Sequence, residues 1–148
     1  LTASIMRVFG GAFADRLGGE KTALLSLGTL LVGGMIMTIS FSYPFSILGV
    51  VIMALGMGVA NGAVFKLMPQ YVPQAVGGAA GWIGGLGAFG GFAIPPVLGI
   101  FVRLLGAQGY ASGFLTFVLL AVLALGMASI LRRAHHLKIK AHIQELAS

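Results

Sequence analysis

Cysteine is absent, acidic residues number three, and charged residues of both signs make up only 8% of the 148 positions. The missing thiols exclude disulfide frameworks and thiolate-held metals. The shortage of charge excludes an ordinary soluble domain, in which roughly a quarter of the residues are charged. A small soluble domain cannot hide this much apolar side chain from water. Hydrophobic residues reach 58% and the mean hydropathy is +1.03, so the solvent for much of the surface must be lipid. Strict apolar/polar alternation is also missing, which argues against a membrane β-barrel. Glycine, by contrast, is plentiful: 24 residues, set inside Leu/Val/Ile/Met runs. Membrane helices tolerate glycine and use it for close backbone approach. The expected fold class is all-α, a polytopic transmembrane helical bundle.

A hydrocarbon core of about 30 Å needs on the order of 20 apolar residues per helix. Four runs reach that length, at 22–42, 45–68, 75–102 and 110–131, and 1–14 reads as the second half of a fifth helix. Residues 1–133 then form the bundle, and 134–148 a basic tail with an expected attraction to anionic lipid. The chain opens at Leu1 inside an apolar segment, without the basic start of a signal peptide, which predicts a fragment. Breaks are expected at the charged turn 15–21, at Tyr43-Pro44, at 69–73 and at 105–109. With the turn at 15–21 on the cytoplasmic side, that side holds Arg16, Lys21, Lys66, Arg132, Arg133, Lys138 and Lys140. The other side holds Arg103 alone, a strong positive-inside bias that puts the C-terminus in the cytoplasm. Cations clustered at span ends are not a nucleic-acid signal.

Arg7 belongs to neither side. It lies eight residues before Asp15, about 12 Å along a helix and close to the bilayer midplane. A guanidinium there is unfavourable by roughly 2.5–3.5 kcal/mol, and no Asp or Glu lies in any span to neutralise it; the acids are Asp15, Glu20 and Glu145. Two readings follow: an ion pair with a carboxylate from outside these residues, or a small planar oxyanion held by the forked, permanently charged group. Asn61, also about 12 Å inside the membrane by the same rise, needs partners for its amide. An interhelical hydrogen bond is the first choice, anion contact the second.

Gly77, Gly81, Gly84, Ala88 and Gly91 recur at three- and four-residue steps, widened by Gly78, Gly85 and Gly87, to give a face without side chains. Helix packing explains it, and so does room for a permeant ion beside Arg7. Pro95 and Pro96 remove bonds to the carbonyls of Gly91 and Phe92, which predicts a bend and a hinge. Phe65, Phe89, Phe92 and Trp82 are assigned to packing, and Lys66 to no special role. His135, His136 and His142 lack acidic or Cys companions in sequence, so neither a metal site nor a cofactor is expected. Enzymatic chemistry is not expected either: no nucleophile–base pair or carboxylate dyad is visible. No span carries Asp, Glu or His, so these residues offer no proton carrier.

The stretch from Arg7 through Gly10, Gly11, Asp15 and Arg16 to Gly19 resembles the loop motif of the major facilitator superfamily, in its second-half copy between helices eight and nine. Asn61-Gly-Ala-Val-Phe-Lys66 with Pro69-Gln70-Tyr71 resembles the end of helix ten in the nitrate/nitrite porter family, and the glycine-rich 81–95 resembles that family's signature on helix eleven. The resemblance implies part of the C-terminal half of a twelve-helix facilitator, from late helix eight to helix twelve. It implies nitrate and nitrite as substrates, moved by alternating access as antiport or proton-coupled uptake across the inner (plasma) membrane. It further implies Arg7 at the anion site, with Gly84, Gly87, Gly90 and Gly91 along the substrate path, and Gly11, Asp15 and Arg16 in a gate against the missing N-terminal half. A facilitator for another small anion or organic acid, or a non-transporting membrane sensor of the same fold, remain alternatives.

Overall fold

The computed structural model describes residues 2–40 and 42–147. Leu1, Phe41 and Ser148, at the edges of the expected segments 1–14, 22–42 and 134–148, lie outside the described residues, as do the side chains of Lys138, His142 and Glu145. Six α-helices follow in chain order: α1 Thr2–Leu17, α2 Gly19–Thr38, α3 Tyr43–Tyr71, α4 Val76–Leu105, α5 Gly109–Gly113 and α6 Leu115–Ala147. Short 3-10 turns at Pro73–Ala75 and Gly106–Gln108 bracket α4. Four helical stretches are long and apolar enough to cross a membrane: Gly19–Thr38, Tyr43–Tyr71, Pro73–Leu105 and Gly109–Leu137.

Local chemistry sets the breaks. Gly18, at φ 88°, takes a left-handed conformation that turns α1 into α2. Its N–H still reaches the Ala14 carbonyl at 3.1 Å, and its own carbonyl accepts from Thr22 N and from Thr22 Oγ1 at 2.9 Å. Ser42 is extended ahead of Tyr43, and Pro44 occupies the first turn of α3, where a missing N–H does no harm. Two boundaries differ from the sequence reading. Pro69 lies inside α3, which runs on to Tyr71 before closing with Val72 N on the Met68 carbonyl at 2.8 Å. The residue four before Pro69 simply loses one intrahelical bond near the helix end. As the single run 75–102 anticipates, α4 is one helix through both Pro95 and Pro96. The tail is a direct continuation of α6 rather than a separate surface element, because nothing between Arg132 and Gln144 is Gly or Pro to stop it.

Packing depends on small residues. Where α1 crosses α3, a Cβ added at Gly10 would stand 2.7 Å from Val59 Cα, at Gly58 2.5 Å from the Ala3 carbonyl oxygen, and at Gly62 2.7 Å from the Arg7 carbonyl oxygen. The α2–α3 crossing has the same character at Gly33 and Gly56, where an added Cβ would reach Met53 N and Leu30 N at 2.7 Å. Backbones this close gain dispersion contacts that lipid cannot supply. The core between these three helices is accordingly made of Ala14, Ala23 and Ala63, with Leu67 against it. Thr22 and Ser26 are buried, and each returns its hydroxyl to a backbone carbonyl of its own helix, as a polar group shielded from water requires.

Outside this trio, α6 lies along α2, with Val118 opposite Gly34, and α5 seats Gly109 and Gly113 against Phe101 and Leu98 of α4. No residue of α4 is buried, and its glycines from Gly77 to Gly99 have open space where a Cβ would be. Replacing Gly62 with Leu should force α1 off α3 by the size of a side chain. An overpacking penalty of about 1–3 kcal/mol is the lower bound, since the obstructing atoms are backbone. Thermal unfolding of the purified full-length protein should register a lowered midpoint, whereas Gly11→Ala, whose Cβ meets nothing within 4 Å, should not.

Candidate anion site and the polar cluster beside it

Arg7 points from α1 toward α3 because Gly58 and Gly62 bring the two backbones together at that level. Its Nη2 donates to Asn61 Oδ1 at 3.1 Å, an interhelical hydrogen bond across 54 residues of chain. Asn61 Nδ2 is held in turn by the Met57 carbonyl at 3.4 Å, which orients the amide oxygen toward the guanidinium. Phe65, one turn further along α3, lies with its ring centroid 5.8 Å from Arg7 Cζ, within cation–π range. Phe65 is thus part of the Arg7 environment and not merely packing.

The chemistry of this arrangement is asymmetric. An amide oxygen and an aromatic face steady a cation without neutralising it, and the guanidinium has five N–H donors, of which Asn61 takes one. Neither Asp15 nor Glu20 pairs with Arg7. Both Arg7 and Asn61 are exposed in this chain. The site is therefore an oriented fork with spare donors, set about 12 Å from the charged turn.

Two turns along α1, Asp15 forms an ion pair with Lys66 of α3. The residue given no role in the sequence reading is the partner of the expected gate carboxylate. Arg16 is exposed and forms no ion pair among the described residues. The Gly11 amide is one of the atoms an added Gly62 Cβ would strike, while a Cβ at Gly11 itself would border open space. The glycines of α4 do not join the site: α1 and α4 make no contact, and Gly84, Gly87, Gly90 and Gly91 border open space. A face lacking side chains cannot reach across to Arg7, and the near side of α1 is already occupied by α3.

A second cluster escaped the sequence reading. Glu20, in the first turn of α2, accepts a 2.5 Å hydrogen bond from the Tyr71 hydroxyl at the end of α3. The same carboxylate meets Arg132 Nε at 3.4 Å and His136 Nε2 at 3.2 Å on α6. His135 Nδ1 is 3.2 Å from Glu20 Oε1, but not aligned for a hydrogen bond, and its ring packs on Tyr71 at 4.5 Å between centroids. The histidines do have an acidic companion, supplied by another helix 115 or 116 positions away. No three His, Asp or Glu among the described residues form a metal-holding group. The available signal was scarcity: an acid on the strongly basic side had several cations to choose from.

These features define a polytopic helical membrane protein with a partnered but uncompensated cation inside its apolar zone. The chain belongs to the Major Facilitator Superfamily, whose family model matches residues 1–146. Among curated proteins it is similar to the probable nitrate transporter NarT of Staphylococcus haemolyticus, 32% identical over 120 residues, and to that of Staphylococcus aureus, 30% identical over 120 residues. Each alignment covers 81% of this chain and 30% of the relative, so the chain spans less than a third of the relatives' length. The relatives carry the names of transporters, not of enzymes. No solved structure matches the chain.

Glu20→Ala should leave the Tyr71 hydroxyl and the α6 cations without their shared acceptor, a loss of about 1–2 kcal/mol for a charge-assisted group at a partly wet site. A lowered unfolding midpoint in the full-length protein checks this, with Glu20→Asp expected to fall between the two.

Proposed function

We propose that the chain is the C-terminal part of a facilitator that carries nitrate and nitrite across the inner membrane by alternating access, with Arg7 as the anion-binding cation. The observation that carries this reading is the state of Arg7: a guanidinium exposed on an apolar helix pair about 12 Å from the charged turn, oriented by a neutral amide, with donors to spare. A planar oxyanion accepts two parallel N–H bonds from such a fork, and pairing there removes most of the penalty of holding the charge in low dielectric. The names of the relatives support nitrate as the anion. The glycine face of α4, with Gly84, Gly87, Gly90 and Gly91, is then the smooth wall of the path, completed by the N-terminal half. Pro95 and Pro96 are the hinge within that wall. The basic end, with the extension of α6, faces the cytoplasm. Exchange of nitrate for nitrite needs no titratable group in the spans, which favours antiport over proton-coupled uptake.

Arg7→Lys in the full-length protein retains the charge and loses the fork. Nitrate uptake into reconstituted vesicles should fall by more than tenfold, the scale of one charge-assisted hydrogen bond. Asn61→Asp should be as severe, since a carboxylate 3.1 Å from Nη2 would fill the site from within. Uptake close to wild type in either variant counts against the site, and protection by a carboxylate but not by nitrate reassigns the substrate.

In this scheme the Asp15–Lys66 pair is the gate. Lys66 holds the carboxylate at the α1–α2 turn, where it can cap the positive end of a helix from the other half and favour the outward-open state. This chain has no Cys, so in a full-length protein whose remaining part is also cleared of Cys, a single cysteine at exposed Gln70 reports cytoplasmic access. Asp15→Asn should raise its labelling rate at least about twofold, a shift of under 1 kcal/mol in the two-state balance.

A further inference from the structure

A second concave surface lies away from Arg7. Between the first turns of α2 and the end of α6 runs a groove of about 580 Å³ lined by Leu24, Ser129, Arg133, His136, Leu137 and Lys140. Ser129, Arg133, His136 and Lys140 follow one another at four-, three- and four-residue steps, so they form one stripe along α6, about 16 Å long. Arg132, the remaining wall residue, is engaged by Glu20 at 3.4 Å, and His136 touches the same carboxylate at 3.2 Å. Arg133 and Lys140 are exposed and form no ion pair among the described residues. No acid among the described residues lines the groove. It is a cationic trough with an apolar wall.

Its position says what fits there. Leu24 belongs to the apolar run of α2, while Lys140 lies beyond the last hydrophobic stretch of α6 that can cross a membrane. Directly before the stripe and on the same face of α6, Val122 is 52% exposed and Gly126 borders open space, an apolar approach to the trough. The backbone of α6 approaches α2 and α5, and neither α1 nor α3, so this face is turned away from the Arg7–Asn61 pair. The trough therefore straddles the boundary between hydrocarbon and water at the end of α6.

We propose that this groove binds the headgroup of an anionic phospholipid. The phosphodiester oxygens accept from Arg133 and Lys140, with the Ser129 hydroxyl as a further donor, while an acyl chain follows Leu24, Gly126 and Val122. A bound lipid would tie α6 to α2 beside the Glu20 cluster, with which the groove shares Arg132 and His136.

The test uses the full-length transporter in detergent, titrated with dioctanoyl phosphatidylglycerol, dioctanoyl phosphatidylcholine or inorganic phosphate. Unfolding midpoints and native mass spectra report binding. Phosphatidylglycerol should bind the wild type and phosphatidylcholine more weakly. The R133Q/K140Q pair should weaken phosphatidylglycerol by on the order of tenfold, with Lys140→Gln alone moving the same way should the pair misfold. Arg133→Lys should retain most of the binding, and Arg103→Gln, at the opposite end of the bundle, all of it. Unchanged affinity in R133Q/K140Q overturns the proposal, as does an equal loss in Arg103→Gln. Displacement of the lipid by equimolar inorganic phosphate overturns it too, making the groove a free-phosphate site.

Discussion

The close approach of α1 and α3 is the constraint on which the rest depends. Gly10, Gly58 and Gly62 let two backbones meet where a single added methyl group would collide with main-chain atoms. In lipid this contact is a matter of packing and not of hydrophobic burial, because the acyl chains are as apolar as the side chains they replace. The consequence is positional. With the backbones that near, the Arg7 side chain reaches Asn61 above the crossing and Asp15 reaches Lys66 toward the charged end. Two polar rungs on one glycine-packed pair make α1 and α3 a unit that holds the Arg7 guanidinium and the Asp15 carboxylate in register.

The three helices that share the alanine core differ in kind from the two that surround it. α1, α2 and α3 are knitted by small residues and contain the buried positions Ala14, Ala23 and Ala63. α4 buries nothing within this chain and presents glycine along its length. The fold thus combines a stiff element that carries charge with a smooth helix without side-chain anchors, a pairing suited to sliding. At the basic end the Glu20 cluster does the opposite, drawing α2, α3 and α6 onto a single carboxylate. One acid with four polar neighbours holds the basic ends of three helices together.

Particular residues mark how far the linear pattern could be read. Arg7 was identifiable because a guanidinium eight residues inside an apolar run, with no acid in any span, calls for a partner, and its depth follows from helical rise alone. Asn61 was identifiable for the same reason. Their mutual hydrogen bond was not, since they are 54 positions apart and only a helix crossing brings them to 3.1 Å. Lys66 and the histidines were passed over because ordinary end-of-helix cations need no partner. The Gly58-x-x-x-Gly62 spacing was a legible signal for the α1–α3 crossing, masked by the richer glycine pattern of α4. The continuous helix through Pro69, and that through Pro95 and Pro96, show that a proline removes one bond and not necessarily an element.

Composition and periodicity alone determined that this is an all-helical membrane chain, with its spans, its basic side and a cation stranded in its apolar zone. These are properties of local sequence against a solvent of fixed thickness, so they need no knowledge of neighbours. Which groups share a charge was decided by tertiary structure alone: Asn61 for Arg7, Lys66 for Asp15, and Tyr71, Arg132, His135 and His136 for Glu20. Electrostatic partnership depends on separation in space to within an ångström. In a bundle that separation is set by where glycines allow helices to cross, and not by distance along the chain.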